Sequence, residues 1–164
     1  MDLAAIFHIF PPQIATILIA MLPIAELRGS IPIALTVYQL SIPTAYILSV
    51  VGNIIPAIFL LWLLGPVSGY LMQKSKLANK FFIWLFERTR HKFAGKYEIW
   101  GELALTIFVA IPLPVTGVWT GTVAAFLFGI PKKKSLILIT LGAMIAGVVV
   151  TLATLGVISL TWNS

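Results

Sequence analysis

The chain contains no cysteine and little charge of either sign: 11 Lys and Arg and 5 Asp and Glu, 10% of 164 residues. Without cysteine there is no disulfide framework, no thiol nucleophile and no thiolate metal site. The charge deficit excludes more, because soluble globular domains carry roughly 25% charged residues. The remainder is apolar: 60% of residues are hydrophobic and mean hydropathy is +1.05. This is the composition of a membrane protein in contact with the lipid bilayer. The length allows one compact bundle, so 1–164 is read as a single membrane domain.

Enzyme patterns are also lacking. No His/Cys/Asp/Glu cluster has metal-ligand spacing, no Ser/His/Asp set is plausibly placed, and no glycine loop ends in a phosphate-binding lysine. No catalytic residue, metal or cofactor is expected. The net charge of +6 does not point to nucleic acid, because the basic residues are clustered. Seven of the eleven lie between Lys74 and Lys96, three are Lys132, Lys133 and Lys134, and one is Arg28. Basic clusters beside apolar runs mark cytoplasmic loops.

Charge is absent from Gly29 to Gln73, from Leu103 to Pro131 and from Ser135 to the end. A spanning helix needs about 20 apolar residues. Thr44–Leu64 and Ser135–Leu155 meet that need. Two other regions are broken at their centres. Pro12–Leu22 leads through "PIAELRGSIP" (Pro23–Pro32) to Ile33–Leu40, and Leu103–Ile111 leads through "PLPVTG" to Val118–Gly129. Arms this short cover roughly half the hydrocarbon thickness. Proline and glycine at each midpoint break the helix. Non-helical backbone at that depth is tolerated only against protein or a wet cavity.

The expected fold class is an all-α integral membrane protein: an inverted repeat of a re-entrant helical hairpin plus a transmembrane helix. The first repeat, 1–70, holds hairpin 12–40 and helix 44–65. Residues 71–100 form a basic cytoplasmic amphipathic segment, in which Leu77, Phe81, Trp84, Leu85 and Arg88 recur at helical spacing. The second repeat, 101–164, holds hairpin 101–130 and helix 134–160. In the repeat alignment Gly29 meets Gly117, Pro43 meets Pro131, and Gly65 and Gly156 close the two spanning helices. Inverted repeats put a substrate site at the bilayer midplane. Parity places the basic loops in the cytoplasm and both termini outside. Residues 1–10 lack a basic leader region and read as mature chain. A homodimer would cover the exposed hairpin flanks.

Glu26 and Arg28 are the costly residues at such a tip. In an extended tip they share a face. They then pair with each other or meet groups on the opposite hairpin. Either they fix the register of the fold, or Glu26 carries a proton or attracts a cation and Arg28 offers donors to phosphate or carboxylate. Gly29, Ser30, Thr116 and Gly117 are expected to begin the returning arms with free N–H groups suited to an anion. Trp119 and Thr120 add an indole and a hydroxyl. Pro23, Pro32, Pro112, Pro114 and Gly121 are expected to shape the tips. Asn53 is read as bonding backbone freed by Pro56. Gly142, Ala143, Ala146 and Gly147 provide close helix packing. His8, His91, Glu98 and Glu102 are read as facing water.

"ELRGSIP" at 26–32 and "PLPVTGVWTG" at 112–121 resemble the two signature segments of the small multidrug export protein family. The resemblance covers nearly the whole chain and implies a small-molecule exporter of a prokaryotic plasma membrane. It points to Glu26, Arg28, Gly29, Pro32, Pro112, Pro114, Gly117, Trp119 and Gly121. In outline the chain is also similar to the DedA superfamily, which implies proton-coupled handling of lipid phosphates. Where that superfamily has an arginine at the second tip, this chain has Thr116, Trp119 and Thr120. Three functions follow: a proton-coupled exporter, a lipid-phosphate flippase, and a non-transporting membrane scaffold.

Overall fold

Two breaks divide the apolar regions of the computed structural model, which describes residues 9–77, 79–84, 96–113 and 116–162. The helices are α1 (Pro12–Met21), α2 (Glu26–Thr36), α3 (Ile42–Lys74), α4 (Lys96–Ala110), α5 (Val118–Leu127) and α6 (Lys132–Trp162). Residues 76–77 and 79–84 are also helical. No strand occurs among the described residues. His8, His91, Leu85, Arg88 and Pro114 lie outside those residues, as does the side chain of Glu98.

Among the described residues, only α3 and α6 are long and apolar enough to cross a membrane. Their outward faces present Ile47, Phe59, Trp62 and Leu63 on α3, and Ile137, Ile145 and Leu152 on α6, all more than half exposed or close to it. Soluble monomers rarely expose apolar surface so continuously. The other four helices have 10 to 15 residues each, fewer than the roughly 20 that a span needs.

The long helices pack on each other. Helix α1 lies on α3, α4 lies on α6, and α2 and α5 each touch both long helices. Shared apolar residues such as Leu27, Val50, Val109, Val118 and Ala143 fill the centre. Two glycines let helix backbones approach closely. A Cβ on Gly52 would fall 2.6 Å from the Ile17 carbonyl oxygen of α1, and one on Gly142 would fall 2.8 Å from the Thr106 carbonyl oxygen of α4. Each glycine stands ten residues after the first residue of its helix. Gly147 instead faces Tyr46 of α3, whose hydroxyl donates to the Met144 carbonyl at 3.0 Å. The small residues of α6 thus pack within the chain.

Several boundaries correct the sequence reading. Gly65 and Gly156 do not close the long helices: α3 continues to Lys74 and α6 to Trp162. Each glycine carbonyl takes a serine hydroxyl three residues on, Ser68 at 2.8 Å and Ser159 at 2.8 Å. The first break is shorter than Pro23–Pro32 and comprises residues 22–25. Pro32 lies inside α2 rather than at the tip, and the Thr36 hydroxyl bonds its carbonyl at 2.8 Å. Gly121 also lies inside a helix, α5, against Val109. Pro23 and Pro112 do lie in the breaks. Glu102 is paired with Lys134 rather than simply facing water.

Candidate functional site

The two breaks meet in the middle of the bundle, and each contributes what the other lacks. The first supplies a side chain. Glu26 opens α2 with φ +45°, a left-handed backbone that few non-glycine residues adopt. Its side chain turns away from its own helix, and the residue is 5% exposed. The Trp119 backbone N–H donates to the Glu26 carboxylate at 3.4 Å. Glu26 therefore caps the N-terminus of α5, where unpaired N–H groups and the helix dipole favour a negative charge.

The second break supplies the room. Gly117 precedes α5 with φ +132°, a conformation open to glycine and strained for other residues. A Cβ there would run into the Glu26 carboxylate. Two more contacts join the breaks. Arg28 Nη2 donates to the Thr116 carbonyl at 3.4 Å. The Trp119 indole Nε1–H donates to the Met21 carbonyl at 3.2 Å. That carbonyl belongs to the last turn of α1, where helix C-termini leave acceptors unpaired.

The tip is not extended, because Glu26 and Arg28 both lie in the first turn of α2. They still approach to 4.0 Å, at the limit of an ion pair, because of the left-handed backbone at Glu26. Each also meets the opposite break, so the two alternatives left open by the sequence coexist. Gly29 does not present a free N–H: it donates to the Ala25 carbonyl at 2.8 Å. Nor does Gly29 match Gly117. The residues preceding α2 and α5 are Ala25 and Gly117.

Thr116 serves its own turn. Its hydroxyl accepts from the Leu113 N–H at 3.1 Å and reaches the Ile111 carbonyl at 2.6 Å. Thr120 Oγ1 lies 3.4 Å from the Gly117 carbonyl. Ser30 is fully buried, and its hydroxyl has no hydrogen-bond partner. Asn53 of α3 stands out only in the structure. It is 1% exposed, its Oδ1 has no partner, and it lines one cavity with Glu26, Arg28, Thr116 and Gly117. For the centre of a water molecule that cavity offers about 10 Å³, room for roughly one water.

A family model described as "Putative small multi-drug export protein" matches residues 26–149. The chain belongs to that family. The matched segment begins at Glu26, directly after the first break, and contains α2, all of α3, the second break and most of α6. Family membership and the two long apolar helices fit a membrane protein. Comparisons with curated proteins and with solved structures find no match.

Proposed function

We propose that this protein is a proton-coupled secondary exporter of a prokaryotic inner membrane, with its site at the midplane between two re-entrant hairpins. The observation that carries the reading is the buried Glu26 carboxylate held across the bundle by the N-terminus of α5. In this reading α1–α2 and α4–α5 are the hairpins, and α3 and α6 are the spans of an inverted repeat. Support comes from the matched packing of Gly52 and Gly142 and from the parallel Ser68 and Ser159 bonds. The orientation puts basic residues inside. Lys132 lies over the Trp62 ring at 5.0 Å and Lys74 over Tyr70 at 5.1 Å, so the start of α6 adjoins the later part of α3.

A cavity this small admits neither a drug nor a lipid headgroup. Transport therefore requires the tips to part, breaking the Glu26–Trp119, Arg28–Thr116 and Trp119–Met21 contacts. Polar contacts between membrane helices average about 0.6 kcal/mol each, with a maximum near 1.7. Three of them amount to a few kcal/mol, comparable to the roughly 2.3 kcal/mol that one charge gains per 100 mV. A proton on Glu26 removes the charge that α5 and Arg28 hold. A cationic substrate competes for the same carboxylate. Exchange of one for the other is antiport.

The test is ethidium transport in proteoliposomes under an imposed pH gradient. Wild type should show ethidium-dependent proton movement, and Glu26→Gln should lose it. Equal transport by that variant would remove Glu26 from the mechanism. A second reading, a lipid-phosphate flippase, rests on Arg28 lying beside the α5 amides. It expects thermal stabilisation by short-chain polyprenyl phosphate that disappears in Arg28→Ala. If neither probe acts, the scaffold reading gains.

A further inference from the structure

We infer that the cavity between Glu26, Arg28 and Asn53 is a binding site for a single water molecule, anchored by Asn53, through which protons reach Glu26. The inference rests on the proposal that Glu26 takes up a proton. It adds a ligand and a residue which that proposal does not need.

Asn53 is the starting point. A buried amide oxygen without a hydrogen bond is costly and calls for an explanation. Bonding to backbone near Pro56 leaves Oδ1 unexplained, because that atom has no partner. Asn53 borders the cavity instead. A buried water needs about one probe sphere of space and two to four polar partners. The cavity gives about 10 Å³ for a water centre. The Asn53 amide, the Glu26 carboxylate and the Arg28 guanidinium line it and supply both donors and acceptors.

The surroundings rule out other destinations for a proton. Among the described residues, Glu26 and Arg28 are the only charged ones that line the cavity. The guanidinium offers donors and no acceptor. Facing Glu26 from the other elements are neutral groups: Asn53 of α3, Gly117 and Val118 at the start of α5, and Ala143 and Ala146 of α6. Glu26 is thus the one acceptor of a proton there. Ser49 stands four residues before Asn53, on the same helical face. It is fully buried, and its hydroxyl also lacks a partner. The polar line therefore extends toward the first turns of α3.

Infrared spectroscopy of purified protein in lipid vesicles tests this without a transport substrate. A pH titration of wild type and Glu26→Gln identifies the protonated Glu26 carboxyl band by its loss in the variant. The rate at which that band shifts in D2O is then compared with Asn53→Leu and Asn53→Ser. Asn53→Leu should slow the exchange about tenfold, the rate equivalent of one lost buried hydrogen bond. Asn53→Ser, which keeps a hydroxyl, should restore most of the rate. An unchanged rate in Asn53→Leu overturns the water path and leaves the proton-coupled reading standing. If no Glu26→Gln-sensitive band appears at any pH, both fail. Solid-state NMR of wild type provides a check that needs no variant. Magnetisation from water should reach the Asn53 side-chain amide before the neighbouring Val50 and Ala57 methyl groups. Arrival in the reverse order overturns the inference.

Discussion

The helix that follows the first break opens with charged residues and the one that follows the second opens with neutral ones, yet the second does as much to form the site. At the first, Glu26 has a left-handed backbone and sends its carboxylate across the bundle. At the second, Gly117 has a left-handed backbone and no side chain, so the carboxylate can reach the amides behind it. One tip offers a group and the other offers its absence. Gly52 and Gly142 match in their packing against a short helix, whereas the two tips differ around the Glu26 carboxylate.

The comparison breaks most severely at Gly117. Gly117→Ala adds backbone strain of about 1–3 kcal/mol and displaces a buried acceptor from its donors, costing about 1–3 kcal/mol more. Thermal unfolding in detergent should show the largest loss of any single substitution in either tip. Adding Glu26→Gly should recover part of it, since the obstructing carboxylate is gone. No recovery would mean that strain alone accounts for the loss.

The scaffold symmetry is tested by a matched pair. Gly52→Ala and Gly142→Ala each push a Cβ against a carbonyl oxygen on the adjoining short helix. Overpacking costs about 1–3 kcal/mol, and the two losses should be alike. If one variant unfolds wild-type-like while the other collapses, the two long helices do not share this packing.

The smallest effects sharpen the tip itself. Trp119→Phe keeps an aromatic ring, though a smaller one, and removes the bond to Met21, whose loss costs about 1 kcal/mol. Glu26→Gln keeps an acceptor for the Trp119 amide and loses the charge facing the α5 dipole, an effect of about 0.3–2 kcal/mol. The two should separate by function. Trp119→Phe should reduce stability and retain proton movement, while Glu26→Gln should abolish proton movement at a similar stability.

Much of the helical plan was legible in the residues. Runs free of charge set α3 and α6, and Pro23 and Pro112 marked both breaks. The exact bounds were less legible. Gly65 reads as a stop, but a hydroxyl three residues on supports the turn. Pro32 reads as a tip, but Thr36 bonds its carbonyl inside α2. Gly29 and Gly117 align as letters and serve different ends. For Asn53 the sequence offered only a polar residue near a proline. Its unpaired oxygen depends on what α2 and α5 fail to place beside it.

The sequence by itself determined that this chain is apolar and helical, where its two long helices run, and that Glu26 and Arg28 had to be accounted for. Those facts follow from local composition and from the cost of charge in an apolar chain. Only the tertiary structure decided that Glu26 caps a helix ninety residues away, that Trp119 returns a bond to α1, and that Asn53 joins them. Such pairings depend on which helix ends meet, and that is fixed by close packing at Gly52, Gly142 and Gly117 rather than by any local pattern.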